Sequence, residues 1–296
     1  MTAVIISVDA VAGLGLKNIF YKQKKGKYYK VTHAIKNAKE DILIFGNSHA
    51  SEHFDAPLMK KLTLNTVFNF GNQGQSLLYV YPLVKSILAY HKPLLIIVNL
   101  DYDELQFKSE AYERLSILLP YYHINEVIDS AIALMPYNED LKCHSFLYRY
   151  NSTLGNIMLN ISGKKLISNQ GYEPIAGNIC RVNGTEKIES PTNASSFDQN
   201  KIKYLMMLIS AVHKANVKLL ITTTPIYNYN ANQKNIYKEK LRRILNGLNV
   251  KYLDYGTNNE FKGKCQYFSD DTHLNPDGAD KWTTQCSSYA KAMINN

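Results

Sequence analysis

The sequence lacks the features that would place it at once in a specialised class of protein. It contains no internal repeat, no low-complexity tract and no apolar run long enough to cross a bilayer. An apolar fraction of 45% and a charged fraction of 20% exclude wholesale disorder. A chain of 296 residues with this composition can bury a large core. We therefore expect a globular chain with one main α/β domain.

Cysteine is scarce. Only four are present, and their irregular spacing matches no zinc-binding template. Two of them, Cys265 and Cys286, lie on either side of a C-terminal motif described below. A disulfide between these two in an oxidising compartment and buried free thiols are both compatible with this pattern.

Positive charge is in excess, with a formal net charge of +9, but the lysines are spread along the chain rather than gathered into one stripe. This distribution argues against a nucleic-acid partner. The densest run, Lys22–Lys30, follows the apolar segment Ala3–Leu16, which is too short to span a bilayer and contains Asp9. Residues 1–40 are therefore either part of a membrane anchor or the first element of the domain, and membrane association through them is one hypothesis.

From residue 41 onward, short apolar runs alternate with longer amphipathic stretches, which is typical of βαβ units and a parallel sheet. Several runs are almost continuously apolar, as expected of strands that are buried on both faces. The predicted strands are Ile42–Phe45, Thr66–Phe70, Leu94–Leu100, Lys218–Thr223 and Lys251–Tyr255.

Helical periodicity separates some of these strands. Gln75–Tyr90 and Asn200–Lys214 have the 3.6-residue period of crossover helices. Asn275 followed by Pro276 predicts the capped start of a last helix, which runs to Ala292.

The alternation stops between about residues 105 and 198. We predict that the domain of residues 41–296 carries this stretch as a long insertion over the carboxyl edge of the sheet. Substrate specificity usually lies in such segments.

Three side chains near predicted element ends have the types that nucleophilic catalysis needs. A hydrolytic serine requires an imidazole that takes its proton and a carboxylate that orients the imidazole. Ser48 follows the first strand and Gly46, whereas His273 precedes the last helix. Asp270, three residues before His273, can reach back to the Nδ1 atom of the imidazole. The pattern predicts a catalytic triad of Ser48, His273 and Asp270.

The same region contains the pattern His49-x-x-Glu52-His53, which is typical of one class of zinc proteases. A zinc site of this kind needs both histidines on one face of a helix. Here the pattern begins directly after a buried strand and Gly46, which puts His49 in a turn. We therefore favour the serine interpretation and expect neither a metal nor an organic cofactor.

Three motifs, in their order and context, resemble those of the SGNH/GDSL superfamily of serine esterases and acyltransferases. They are "IFGNSH" after the first strand, "NFGNQGQS" after the second and "DDTHLN" near the C-terminus. The resemblance covers about residues 41–292 and implies a three-layer α/β/α sandwich with a five-stranded parallel sheet, the flavodoxin-like SGNH hydrolase fold. It also implies that the backbone N–H groups of Ser48 and Gly74 form the oxyanion hole.

A further motif of the superfamily is changed in this chain. Members usually have Gly-x-Asn-Asp after the third strand, with the asparagine amide donating to the oxyanion, whereas this chain has "VNLDYD". By position Asp103 stands nearest the missing asparagine, but an ionised carboxylate would repel an oxyanion. Asn72 and Asn99 are candidates for the missing donor, and a hole with backbone donors alone is the alternative.

A narrower resemblance links the chain to bacterial extracytoplasmic proteins of this type that carry an N-terminal anchor. It rests on the start "DILIFG" and on the phrases "YRYNS" and "GYEPI". Related domains add or remove acetyl groups on cell-surface polysaccharides, which implies an acylated carbohydrate substrate and an extracytoplasmic location. We favour ester hydrolysis; the alternatives are an O-acyltransferase that uses the same triad and a non-catalytic glycan-binding or assembly protein.

Overall fold

Five short apolar runs form the strands of one sheet. In the computed structural model they are β1 (Ile42–Phe45), β2 (Val67–Asn69), β3 (Leu95–Asn99), β4 (Lys218–Thr223) and β5 (Lys251–Asp254). Neighbouring strands are parallel, in the order β2-β1-β3-β4-β5. This is the flavodoxin-like order, so the predicted five-stranded parallel sheet is confirmed. Each strand ends within one residue of its predicted bounds.

The structure describes residues 2–155, 169–181, 196–227, 229 and 235–295. In this part of the chain the helices are α1 (Thr2–Phe20), α2 (Gly26–Lys36), α3 (Ser48–His53), α4 (Ala56–Thr63), α5 (Leu77–Leu88), α6 (Ser109–Glu113), α7 (Glu126–Ile132), α8 (Glu139–Lys142), α9 (Gln199–Lys214), α10 (Ile236–Gly247) and α11 (Pro276–Asn295). The predicted crossover helices correspond to α5 and α9, and the predicted last helix to α11, so all three are confirmed.

The chain divides into two compact units, which we name the helical unit and the sheet unit. The helical unit comprises Met1–Ala38, Pro82–Tyr90 and Ser109–Ser168; the sheet unit comprises Lys39–Tyr81, His91–Lys108 and Asn169–Asn296. The predicted insertion therefore contributes to both units, and its residues 156–168 and 182–195 lie outside the described residues. All the residues predicted to carry chemistry belong to the sheet unit.

Helices cover both faces of the sheet. Ile42 and Ile44 of β1 and Leu95 and Ile97 of β3 enter one core together with Trp282, which is fully buried. Helix α11 contacts both α3 and α4 around that core. The alternate strand residues are buried on the opposite face, where α9 packs against β4. The three-layer α/β/α arrangement is thus confirmed, and its parallel strands direct all their carboxyl ends to one edge.

The helical unit has an aromatic core and begins with α1. The Phe20 ring lies 5.3 to 5.5 Å from the rings of Tyr28, Tyr121 and Tyr150, in edge-to-face geometry. Asp9 accepts hydrogen bonds from the hydroxyl of Ser145 and from two following backbone N–H groups, so this charge is engaged within the unit. No helix in the described ranges is both long and apolar enough to cross a membrane.

The one disulfide among the described residues is not the pairing of Cys265 with Cys286 considered from the sequence. A disulfide joins Cys180 and Cys265, and Cys143 and Cys286 are buried free thiols. The pairing of Cys265 with Cys286 that the sequence analysis considered is therefore wrong. The reason is that Cys286 lies on the core face of α11, whereas the chain around Cys180 runs beside the loop that precedes α11, with the N–H of Ile179 donating to the Phe268 carbonyl at 3.0 Å.

Candidate active site

The turn after β1 presents Ser48 at the carboxyl edge of the sheet. Gly46 has a φ of +144°, and a Cβ atom there would lie 2.7 Å from the carbonyl oxygen of Asn99, so only glycine fits the turn. Asn47 then caps α3, because its Oδ1 atom accepts from the N–H of His49 at 3.0 Å. Ser48 is the first residue of α3 and its hydroxyl emerges where the strand ends.

The turn after β2 packs directly against this first turn. The N–H of Asn72 donates to the carbonyl of Gly46 at 3.0 Å. Gly71 allows the approach, since a Cβ atom there would lie 2.4 Å from the backbone nitrogen of Ser51. Gly74 follows with a φ of +69°. Among the described residues, the N–H groups of Ser48 and Gly74 have no hydrogen-bond partner, so both are free to receive an oxyanion.

A short loop before α11 holds the predicted base and its carboxylate. Asn275 caps α11 by accepting from the N–H of Gly278 at 3.0 Å, as the sequence predicted. Earlier in the same loop, the Oδ1 atom of Asp270 accepts hydrogen bonds from the N–H groups of Thr272 and His273, each at 2.8 Å. This local turn curls the carboxylate back onto the imidazole that it precedes.

The structure brings Ser48, His273 and Asp270 into one hydrogen-bonded line. The Oγ atom of Ser48 lies 3.0 Å from Nε2 of His273. The Nδ1 atom of His273 lies 2.9 and 3.0 Å from the two carboxylate oxygens of Asp270. Partial burial opposes the charged form of Asp270, but hydrogen bonds from His273 and from two backbone N–H groups lower its pKa below the ordinary value. The carboxylate therefore stays ionised and fixes the proton of His273 on Nδ1.

His53 has a structural role that its sequence context did not indicate. Its Nε2 atom accepts from the N–H of Leu274 at 3.0 Å, and its Nδ1 atom lies 2.9 Å from the hydroxyl of Thr224. Burial, with neighbouring histidines, lowers the pKa of His53 well below its ordinary value, so the ring is neutral. It ties α3 and the residue after β4 to the loop that carries His273.

The zinc-protease pattern does not assemble into a metal site. Both ring nitrogens of His53 are occupied by hydrogen bonds, and Nδ1 of His49 pairs with a carboxylate. Within the described part of the chain no group of three or more His, Cys, Asp or Glu side chains could hold a metal ion.

The carboxylate nearest the site after β3 is Asp101 rather than Asp103. Asp101 accepts from the Nδ2 amide of Asn47, and its Oδ1 atom lies 2.7 Å from Nδ1 of His49. Asp103 instead forms an ion pair with Lys108 at 2.6 Å. By position in the sequence Asp103 stands nearest the missing asparagine, but β3 ends at Asn99 and the chain turns within the next few residues, so that Asp101 is the residue that contacts the His49 ring.

The two asparagines proposed as oxyanion donors are both buried. Asn72 is buried, and its Nδ2 amide donates to the hydroxyl of Tyr79 at 3.2 Å. Asn99 is also buried, and its Oδ1 atom accepts from Thr222 Oγ1 and from the N–H of Thr224, each at 3.1 Å. Its Nδ2 amide is shielded from solvent without a partner in the described residues. The amide of Asn72 is therefore used by Tyr79, and the amide of Asn99 is enclosed by protein.

Glu52 is a carboxylate of the site that the sequence prediction placed in a different role. Its Oε1 atom accepts from the Nε2 amide of Gln73 at 3.1 Å, and its Oε2 atom lies 3.7 Å from Nε2 of His273. Burial raises the pKa of Glu52 even though His273, Gln73 and His49 act in the opposite direction. The i to i+4 spacing from Ser48 on one helical face is the signal that could have identified it.

Comparisons with known proteins give a distant likeness in fold. No protein-family model matches the chain, and no curated protein matches it. Among solved structures, a Desulfitobacterium hafniense protein assigned to the lipolytic G-D-S-L family has a TM-score of 0.41 and 9% identity, over 85% of this chain and 98% of its own. A GDSL-like lipase from Bacteroides thetaiotaomicron has a TM-score of 0.39 and 11% identity, over 90% and 100% of the two chains. A Bacteroides fragilis protein assigned as an acylhydrolase has a TM-score of 0.41 and 11% identity, over 88% and 95%.

Proposed function

We propose that this protein is a serine ester hydrolase. The observation that carries the proposal is the hydrogen-bonded line in which Ser48 Oγ lies 3.0 Å from His273 Nε2 and His273 Nδ1 lies 2.9 Å from Asp270. An imidazole that accepts a serine proton on one nitrogen and is oriented by a carboxylate on the other is the arrangement that activates a serine toward an ester carbonyl.

In the acylation step, Ser48 Oγ forms a bond to the carbonyl carbon while its proton passes to Nε2 of His273. The carbonyl electron pair becomes an oxyanion, which the N–H groups of Ser48 and Gly74 receive. When the tetrahedral intermediate collapses, the bond to the alcohol oxygen breaks and His273 returns the proton to the leaving alcohol. Asp270 stays ionised and stabilises the imidazolium that exists between these two transfers.

Deacylation repeats the same steps with water. His273 takes a proton from the water as it attacks the acyl-serine, and the proton then returns to Ser48 Oγ. A sugar hydroxyl in place of water would give an O-acyl sugar by the same steps, which is why the acyltransferase alternative shares every residue of the site.

The test of the proposal is hydrolysis of p-nitrophenyl acetate by the purified protein. We expect Ser48→Ala to lower kcat by at least ~10³-fold and to abolish labelling by a fluorophosphonate. Ser288→Ala removes an exposed hydroxyl on α11 and serves as the matched control, which keeps wild-type activity and labelling. Absence of Ser48-dependent turnover and of labelling would favour the non-catalytic glycan-binding alternative.

The substrate class that we propose is a carbohydrate bearing O-acetyl or similar acyl groups. Its support is the resemblance of the motifs at residues 41–50, 148–152 and 171–175 to those of extracytoplasmic proteins of this type. The disulfide between Cys180 and Cys265 supports an oxidising, extracytoplasmic location. Incubation with O-acetylated oligosaccharides, followed by mass spectrometry, tests the substrate. Free acetate supports hydrolysis, whereas an O-acetyl sugar formed from an acetyl donor would establish the transferase.

We further propose that α1 attaches the protein to an anionic membrane surface. Val4, Val8 and Val11 lie on one face of α1 and are exposed, and Ser7 and Ala12 border the same shallow groove. Exposed lysines follow along the chain at Lys17, Lys22, Lys24 and Lys27. An apolar helical face followed by basic residues is typical of interfacial binding to anionic lipid.

Co-sedimentation with vesicles tests this attachment. We expect binding to phosphatidylglycerol-containing vesicles that weakens with added salt and is lost in Val8→Asp. The control is Thr284→Asp, which adds the same charge at an exposed position of α11, outside α1, and is expected to leave binding intact. Binding that Val8→Asp does not change would contradict the proposal.

A further inference from the structure

A second histidine–carboxylate pair lies next to the nucleophile. The Nδ1 atom of His49 is 2.7 Å from Oδ1 of Asp101, and the other oxygen of Asp101 accepts from the amide of Asn47. Asn47 also accepts from the N–H of His49 at 3.0 Å. His49 directly follows Ser48, and its ring is held in one orientation by contacts that the triad does not use.

The ring of His49 packs among the other imidazoles of the site. It stacks on His53, with ring centroids 4.8 Å apart, and meets the edge of the His273 ring at 5.0 Å. Its side chain is 11% exposed. Because Nδ1 is engaged by Asp101, Nε2 is the nitrogen left for a ligand, and this atom forms no hydrogen bond with any described residue.

The charges around His49 favour its doubly protonated form. Burial lowers the pKa of His49, but the charge and hydrogen bond of Asp101, with Glu52 and Asp103, outweigh it and raise the pKa above the ordinary value. The remaining titratable groups that face the ring are His53, which is neutral, and His273. A histidine that donates from Nδ1 to a carboxylate has an N–H on Nε2 only as an imidazolium.

Among the described residues, the side chains proposed from sequence as oxyanion donors are bonded to other groups or enclosed by protein. The Nδ2 amide of Asn72 donates to Tyr79, the Nδ2 amide of Asn99 is enclosed by protein and shielded from solvent, and Asp103 pairs with Lys108. A cationic N–H beside the nucleophile would be a stronger donor than a neutral amide, since hydrogen bonds from ionised donors are about twice as strong.

We propose that His49, positioned by Asp101, donates a hydrogen bond from Nε2 to the oxyanion formed when Ser48 attacks an ester. This inference rests on the proposed serine hydrolase function and identifies a catalytic residue beyond the triad. The Nε2 proton of His49 is not transferred at any step: the proton that moves is that of Ser48, through His273 to the leaving alcohol. Asp101 acts as a positioning residue.

The decisive experiment compares His49→Asn with the wild type across a pH series, using p-nitrophenyl acetate. We expect His49→Asn to lower kcat by ~10²–10³-fold with little change in KM, because an oxyanion donor acts only in the transition state. In the wild type, kcat should fall at alkaline pH as His49 loses its proton. His49→Asn, whose amide does not titrate, should lack that alkaline fall.

The matched control is His213→Asn, at an exposed position of α9, which is expected to keep the wild-type kcat and pH profile. Asp101→Asn provides a second route that keeps the imidazole. It removes the charge that raises the pKa of His49, so the alkaline fall of kcat should move to lower pH. Circular dichroism and thermal melting verify that each variant is folded; if His49→Asn fails to fold, the shift in Asp101→Asn decides.

Three results would overturn the inference while leaving the serine mechanism intact. They are wild-type kcat in folded His49→Asn, a loss confined to KM, and an alkaline fall that neither variant changes. Failure of the serine mechanism itself is recognised separately, because wild-type protein would then show no turnover or labelling that Ser48→Ala removes.

Discussion

Ser48 and Glu52 stand one turn apart on α3 and face the same atom, Nε2 of His273. That nitrogen lies 3.0 Å from Ser48 Oγ and 3.7 Å from Glu52 Oε2. The Glu52 side chain is only 1% exposed, whereas the side chain of Asp270 is 54% exposed. The imidazole therefore has one carboxylate screened by water on its Nδ1 side and a second, buried carboxylate on its Nε2 side.

We expect Glu52→Gln to lower kcat by roughly tenfold, about 1.4 kcal/mol, because it removes a buried negative charge that stabilises the imidazolium of His273. The same change should raise the free energy of unfolding at pH 8. Burial raises the pKa of Glu52 in the folded protein, so its ionisation at pH above that pKa costs stability. Steady-state kinetics and urea titration measure the two effects. A parallel loss of activity and stability would contradict this account.

Gly46→Ala is expected to destabilise the protein by about 3 kcal/mol or more and to abolish activity. The φ of +144° disfavours any residue with a Cβ atom, and that atom would meet the carbonyl oxygen of Asn99 at 2.7 Å. Thermal and urea unfolding measure the effect. Gly247→Ala, at the end of α10 with no atom within 4 Å of the added Cβ, should change stability by less than about 1 kcal/mol.

We expect Glu104 to lower the stability of the protein as the pH rises from acidic to neutral. It is buried, accepts from the N–H of Leu77 at 2.9 Å, and burial raises its pKa from 4.5 to about 7. The folded protein therefore holds a proton that the unfolded chain has lost, and stability falls as pH rises from about 4.5 to about 7. We expect Glu104→Gln to be more stable than the wild type by up to about 3 kcal/mol at pH 8.

Urea unfolding of Glu104→Gln at pH 4 and pH 8 measures this dependence. The difference from the wild type should disappear at pH 4, where the carboxyl is protonated in both states. Glu110→Gln, at an exposed position, is the matched control and should show no such pH-dependent difference.

The disulfide between Cys180 and Cys265 closes a loop with a sequence separation of 85, so its removal is expected to cost about 4 kcal/mol of stability. The disulfide also connects the segment around Ile179 to the loop that carries His273. The same two segments are joined by the hydrogen bond from the N–H of Ile179 to the carbonyl of Phe268 at 3.0 Å. We expect the Cys180→Ser/Cys265→Ser variant to melt at lower temperature and to lose esterase activity on mild heating. A reductant should reproduce this effect in the wild type and leave the variant unchanged.

The strands, the crossover helices and the last helix could be predicted from the sequence alone. Each is a local pattern: β1 and β4 are continuous apolar runs, and the start of α11 depends on an adjacent Asn275 and Pro276. Such signals are read within a few residues, because hydrogen bonding and burial along one element are set by its own periodicity. The placement of Ser48, Asp270 and His273 at element ends followed from the same local reasoning.

The pairing of residues that are distant in the chain could not be predicted from the sequence and follows from the three-dimensional fold. Counting along the chain placed Asp103 in the site, but the turn after β3 directs Asp101 to His49 and sends Asp103 to Lys108. Cys265 likewise pairs with Cys180 because separate segments run side by side. Local propensity carries no information about such contacts, since they depend on where the sheet brings its carboxyl ends together. For that reason the motif around Ser48 was readable in sequence, whereas the ring of imidazoles and carboxylates around it was not.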